Sequence, residues 1–212
     1  SRPTEFGLID ARNVTCVTYV RQLDDCSFDF VGTDDYLAAQ ILAGHLLDHG
    51  HRHIAVIGGM KNTSTSRLRN AGVADALSAR GFDLPERRIA EGPITREFGE
   101  RAAAEMIRAN KDVTALICHN DTVAVGAIAG IRAAGLNPGA DIALVGFDNL
   151  PVSEVCNPGL TSVELQPRQI GVKAARLFVE RTKHGSMKKK VIRTSPELVV
   201  RASSGLRASS EL

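Results

Sequence analysis

Residues 114–149 read TALICHNDTVAVGAIAGIRAAGLNPGADIALVGFDN. Two short apolar runs, 115–118 and 142–146, enclose a helical segment. Each run stops at polar side chains, His119-Asn120-Asp121 after the first and Asp148-Asn149 after the second. Asp121 and Thr122 can cap the helix, Val125, Ile128 and Ile131 keep one stripe buried, and Gly135 falls where a C′ residue belongs. A strand, a crossover helix and a second strand force the two strands parallel. Open parallel sheets bind ligands beyond the carboxyl ends of their strands, where loops and helix N-termini converge. Asn120 and Asp148 are the first strongly polar side chains past two such ends, which makes them candidates for a site.

The flanking chain alternates in the same way. Toward the N-terminus, 7–12 reads as the tail of a helix, 14–20 as a β-rich run ending at Arg21, and 29–32 as a shorter strand. Asp34 and Asp35 close that strand with helix-capping chemistry, which explains them better than an acid/base pair does. A helix over 36–49 places Leu37, Ile41, His45 and Leu46 on one face and stops at Gly50. A buried strand at 54–57 leads through Gly58-Gly59 and a polar loop into a helix with Leu68, Val73 and Leu77 inside and Gly81 after it. Arg67 and Arg69 stand in the first turn of that helix, where positive charge opposes the dipole, so another purpose is expected of them. After a possible strand at 88–91 and a helix over 97–110 comes the 114–149 unit.

Beyond it, 150–159 reads as a turn-rich loop and 160–165 as a strand-like link. Pro167 opens a helix with Ile170, Ala174, Leu177 and Phe178 on one side and Gly185 after it. Lys188 to Lys190 read as a solvated turn, 191–194 and 197–202 as a terminal hairpin around Ser195-Pro196, and the last ten residues as mobile.

With 212 residues, 43% of them hydrophobic, the chain can bury one large core or two small ones. No apolar run reaches the roughly 20 residues of a membrane helix, and the first ten residues lack signal-peptide order, so a cytoplasmic chain without membrane contact is expected. Cys16, Cys26, Cys118 and Cys156 are scattered, as reduced structural thiols are. His45, His49, His51 and His53 raise the question of a metal cluster, but His49 and His51 serve more simply at the negative end of a helix, and no metal site is expected. A net charge of +2 and 4% aromatic residues offer neither a basic stripe nor a stacking platform for nucleic acid. Nucleophile elbow, HExxH, P-loop and GxGxxG patterns are missing, so neither an enzyme nor a cofactor is expected.

The string CHNDTVAVGAI, followed by ADIALVGFDN and NPGLTSVELQP, resembles the effector-binding core of LacI-family transcriptional regulators. VGTDD, GHRHIAVIGG, RLRNAG and a closing ELVVRAS stand in family order, and the resemblance covers nearly the whole chain. It implies an α/β fold of periplasmic-binding-protein-like type I, with doubly wound parallel sheets in two lobes joined by three crossing strands. The crossings would fall near Gly32, Glu164 and Val191. Residues 33–164 with 191–204 would form a complete C-terminal lobe, 1–32 with 165–190 part of the N-terminal lobe, and 205–212 a mobile tail. The DNA-binding domain, hinge and first N-lobe elements have no counterpart, so the chain looks like a piece of a longer regulator that meets operator DNA only through the missing domain.

Carried over residue by residue, Arg69, Asn120 and Asp148 match positions that hold a small-molecule effector, and their guanidinium, amide and carboxylate suit the neighbouring hydroxyls of a sugar. Ile94 stands where family members often carry an aromatic ring against the ligand, and Arg21 is a further candidate. The family pairs through the helix after the first crossing and the helix after HND, which implies a homodimer with Leu37, Ile41 and Val125 among its contacts. A periplasmic-type solute-binding protein is the rival reading, sharing fold and site.

Overall fold

A computed structural model describes residues 14–23, 26–60, 63–184 and 188–205. The expected helix tail at 7–12, the helix stop at Gly185 and the segment 206–212 lie outside the described residues. The chain divides into two compact units, 1–34 with 166–195 and 35–165 with 196–212, and passes from one to the other at 34–35, 165–166 and 195–196.

The second unit is a six-stranded sheet with helices on both faces. Its strands are β3 (Ile54–Ile57), β4 (Ile89–Ala90), β5 (Ala115–Cys118), β6 (Ala143–Phe147), β7 (Thr161–Glu164) and β9 (Glu197–Val199), in the order β4-β3-β5-β6-β7-β9. All neighbours run parallel except β7 and β9, which pair antiparallel. Ile54, Ala115 and Ala143 stand in register across the three central strands, every residue of which is buried. Side chains alternate between two cores. Ile57, Leu116, Cys118 and Leu144 meet α3 (Arg96–Ala109) and α4 (Asp121–Ala133), while Ile54, Ile117, Val145 and Phe147 meet α1 (Asp35–Asp48) and α2 (Ser64–Ser78). Each such Leu, Ile or Phe removed from water contributes about 1.5–3 kcal/mol, which makes this alternation the main determinant of register.

α3 and α4 approach closely because small residues face each other. A Cβ added at Gly126 would stand 1.9 Å from the carbonyl oxygen of Arg96, and one at Gly99 would stand 2.1 Å from that of Val123. Gly135, at φ +79°, ends α4 as expected.

The first unit carries a three-stranded parallel sheet, β1 (Val17–Tyr19), β2 (Asp29–Thr33) and β8 (Val191–Thr194), in the order β1-β2-β8. Helix α6 (Pro167–His184) packs Ile170 and Leu177 on Val31. Asp29 and Arg181, both buried, form a two-point ion pair at 2.5 and 2.8 Å, and the backbone amide of Lys190 also donates to Asp29 at 2.7 Å.

Several expectations need correction. The terminal hairpin does not form, because β8 pairs with β2 and β9 pairs with β7; the segment 191–194 therefore belongs to the first unit and 197–204 to the second. The buried face of α1 is Ala38, Ala39, Leu42, Ala43, Leu46 and Leu47, while Leu37 is 40% exposed and Ile41 and His45 are half-buried. Val125 is likewise only half-buried, and Phe178 is exposed. Residues 151–155 form a short helix, α5 (Pro151–Val155), with proline at its start. Lys189 and Lys190 are tied down, the first to the carbonyl of Cys26 at 2.8 Å and the second to Glu180 at 2.6 Å. Ser203 and Ser204 are buried, so the last ten residues are not all loose. Ser203 donates to the carbonyl of Leu144 at 2.5 Å and accepts from the amide of Thr161 at 2.8 Å.

Candidate functional site

The order β4-β3-β5-β6-β7 reverses direction between β3 and β5, and a sheet of this kind offers its ligand crevice at the carboxyl ends beside that switch. Three loops leave there: Gly58-Gly59 after β3, His119-Asn120 after β5, and Asp148-Asn149 after β6.

Asn120 is the N-cap of α4. Its φ of −161° is extended, and its Oδ1 accepts from the amide of Val123 at 2.9 Å. The capping expected of Asp121 and Thr122 therefore falls to Asn120, which commits its carbonyl oxygen and leaves its amide NH2 as the group a ligand could use.

Asp121 has a different task. It is fully buried and accepts from the amide of Leu150 at 2.8 Å, Ser153 Oγ at 2.6 Å and Ser162 Oγ at 2.7 Å. Burial pushes its carboxyl up, against the pull of the two serines, the Leu150 amide and Arg201. A Cβ at Gly146 would stand 2.3 Å from Asp121 Oδ1, so only glycine in β6 lets this carboxylate reach across. The start of α4 is thereby fastened to the turn after β6 and to β7.

That turn is strained. Asp148 and Asn149 follow β6 with φ +100° and +49°, a conformation that costs about 1–3 kcal/mol at a non-glycine residue and persists only where the surroundings impose it. Asn149 is held by its amide to Ser162 Oγ at 3.1 Å, by its side chain to Glu164 at 3.2 Å, and by Arg201, which donates to it at 2.8 Å. Asp148, partly buried, makes no side-chain hydrogen bond and no ion pair among the described residues. Burial raises its carboxyl to about 6; Arg69 pulls it down, while Asp121, Asp35 and Glu164 add to the rise.

Arg69 is brought to the same strand ends, although not as an open donor fork. It is 5% exposed and lies in the second turn of α2, whose N-cap is Thr63, so the dipole argument for the first turn does not apply to it. Nε donates to Asp35 Oδ1 at 2.8 Å, Nη2 stands 2.7 Å from the same oxygen, and Nη1 donates to the carbonyl of His119. Its guanidinium carbon lies 4.1 Å from the centre of the Phe147 ring. Asp35, read from sequence as a capping residue, is thus the counter-ion of Arg69. His119, 3% exposed, has its Nε2 2.9 Å from Asn70 Oδ1; burial, helped by Arg69, pushes its ring down to about 3 and keeps it neutral.

Arg69, Asn120 and Asp148 therefore share one end of one sheet. Ile94, 36% exposed, lies between β4 and α3. Arg21 is an exposed residue of the first unit. Asp121, Asn149, Asp35 and His119 are the supporting residues that sequence reasoning did not place. No group of three or more His, Cys, Asp or Glu side chains among the described residues could hold a metal ion. No helix there is long and apolar enough to cross a membrane.

Fold and strand-end site together define an α/β ligand-binding domain. Residues 43–204 match the family described as periplasmic binding protein-like domain. The chain belongs to this family, in the form carried by LacI-type regulators as their effector-binding domain. It is 30% identical over 180 residues to the HTH-type transcriptional repressor PurR of Pasteurella multocida (strain Pm70), covering 85% of this chain and 54% of that protein. It is 34% identical over 170 residues to PurR of Aliivibrio fischeri (strain ATCC 700601 / ES114), covering 79% and 49%. The chain thus spans about half the length of the curated relatives it matches, and these relatives are repressors rather than enzymes. Among solved structures, a transcriptional regulator CelR–cellobiose complex superposes with a TM-score of 0.88 at 28% identity, over 93% of this chain and 61% of that one. A LacI regulator from Bacillus cereus subsp. cytotoxis NVH 391-98 superposes at 0.89 with 27% identity, over 95% and 72%.

Proposed function

We propose that this chain is the effector-sensing and dimerisation region of a bacterial, cytoplasmic LacI-type transcriptional regulator, and that a small polar molecule, a sugar or related polyol, binds where Arg69, Asn120 and Asp148 meet. The first unit would be part of the N-terminal lobe and the second the C-terminal lobe. Operator DNA would be met by a helix-turn-helix domain outside this chain, with ligand occupancy biasing its affinity. The observation that carries the reading is Asp148: a strained, partly buried carboxylate with no hydrogen-bonding partner among the described residues, at the sheet's switch point. Such a group is costly when empty and rewarded when hydroxyl donors reach it. The relation to a regulator solved with cellobiose supports a sugar, and the repressor relatives favour a regulator over a solute-binding protein.

Sugars, nucleosides and amino acids screened by thermal shift should include one that stabilises the chain. Asp148→Ala should then weaken it roughly tenfold to a hundredfold, the loss of a charge-assisted hydrogen bond of about 1.5–3 kcal/mol, with the fold intact. An affinity untouched by both Asp148→Ala and Arg69→Ala would move the site elsewhere.

A further inference from the structure

We propose that this site is selective for charge: it takes a ligand whose group facing Asp148 is uncharged or carries an ammonium, and it turns away phosphate and carboxylate groups. The inference rests on the site assignment above and adds the ligand's class to it.

Charged groups from four elements act on Asp148. Asp35 comes from α1, Arg69 from α2, Asp121 from α4 and Glu164 from β7. Arg201, after β9, acts on Asp121 and holds Asn149. Four carboxylates, Asp35, Asp121, Asp148 and Glu164, stand against two guanidinium groups, Arg69 and Arg201, which leaves a formal surplus of two negative charges. His119 does not offset it, because its buried ring stays neutral.

The two guanidinium groups are also engaged. Arg69 spends three N–H groups on Asp35 and the carbonyl of His119, beneath the surface. Arg201 donates to Asn149 at 2.8 Å and to the carbonyl of Leu160 at 2.7 Å. An arriving anion would meet no guanidinium wholly free of protein acceptors and would face an acceptor, Asp148, that needs a donor. A hydroxyl, amide N–H or ammonium supplies that donor, and an ammonium also cancels part of the surplus. Because the carboxyl at 148 titrates at about 6, a ligand that donates to its ionised form releases a proton on binding in weak acid, and binds more tightly as pH rises through that value.

Calorimetry on the 212-residue chain with glucose, cellobiose, glucosamine and glucose 6-phosphate, near pH 5 and near pH 8, tests this. Expected at the higher pH are glucosamine or an uncharged sugar as the tightest probe, the phosphate ester at least about tenfold weaker than glucose, and a gap that Asp148→Asn narrows to within about threefold. A phosphate ester bound as tightly as glucose, and weakened by Asp148→Asn, overturns the charge rule while leaving the site where it is placed. Probes that bind but ignore Asp148→Asn overturn both. The empty protein decides independently of any sugar: Asp148→Asn should raise its melting temperature more near pH 8 than near pH 5, where the parent's carboxyl is already largely protonated in the fold. An equal shift, or none, at both pH values removes the acidic surplus and the inference with it.

Discussion

At the scale of single residues, Asp148 and His119 set opposing pH dependences in one site. The carboxyl at 148 titrates at about 6 in the fold, above the ordinary 3.8. The folded chain then binds this proton more tightly than the unfolded chain, so stability rises as pH falls from about 6 toward 4, by about 1–3 kcal/mol once partial exposure is allowed for. The ring of His119 titrates at about 3 in the fold, below 6.5, so stability is lost as pH falls from about 6.5 toward 3. Chemical denaturation across this range should show Asp148→Asn more stable than the parent above pH 6. With the compensating gain removed, the variant should lose stability more steeply toward acid. A variant parallel to the parent at every pH would contradict the assignment. Asp148 and Asn120 are readable from sequence because a polar residue directly after an apolar strand has few other places to point. Asp121 is not, because its partners Ser153 and Ser162 lie 32 and 41 positions away, and only the folded sheet brings them to it. Asp121→Ala, which leaves the Leu150 amide and the Ser153 hydroxyl without their acceptor, should cost about 2–5 kcal/mol by urea midpoint.

At the scale of elements, the close pairing of α3 and α4 sets two known effects of glycine against each other. Alanine in a helix interior is favoured over glycine by about 0.5–1 kcal/mol, and Gly171→Ala on α6, where an added Cβ meets nothing within 4 Å, should gain that amount. At Gly126 the same Cβ would press on the Arg96 carbonyl at 1.9 Å, a backbone atom that cannot step aside without moving the helix. Overpacking of about 1–3 kcal/mol or more then exceeds the propensity gain, and Gly126→Ala should lower the urea midpoint while Gly171→Ala raises it. The same pairing explains which element readings hold. Strands β3, β5 and β6 are plain in the sequence because each is a short apolar run closed by polar or glycine residues. The inward face of α1 is not plain, because Leu37, Ile41, Leu42, Leu46 and Leu47 spread apolar surface round the whole helix and periodicity cannot choose among them. The pairing of β8 with β2 rather than β9 is a long-range choice that a Ser-Pro turn signal does not reveal.

At the scale of the whole molecule, the side chains expected inside α1 become informative by lying outside. Leu37 is 40% exposed, and Ile41 and Val125 are half-buried, each on a helix whose other face already fills a core. Leu37, Ile41 and His45 recur at intervals of four on α1, so they share one face of it. A stable homodimer needs on the order of 800 Å² from each partner with an apolar centre, and the exposed parts of these side chains can contribute to it. The formal charge of +2, by contrast, gives little electrostatic drive toward phosphate backbones, so the chain by itself should show no salt-resistant, sequence-selective gel shift. Sedimentation at tens of micromolar, on the order of a weak interface affinity, should find a dimer. Ile41→Glu should convert it to a monomer without unfolding it, because a half-buried position tolerates the charge in the monomer but the centre of an interface does not. A parent chain that sediments as a monomer at that concentration, or an Ile41→Glu variant that stays dimeric, would place the interface on another face.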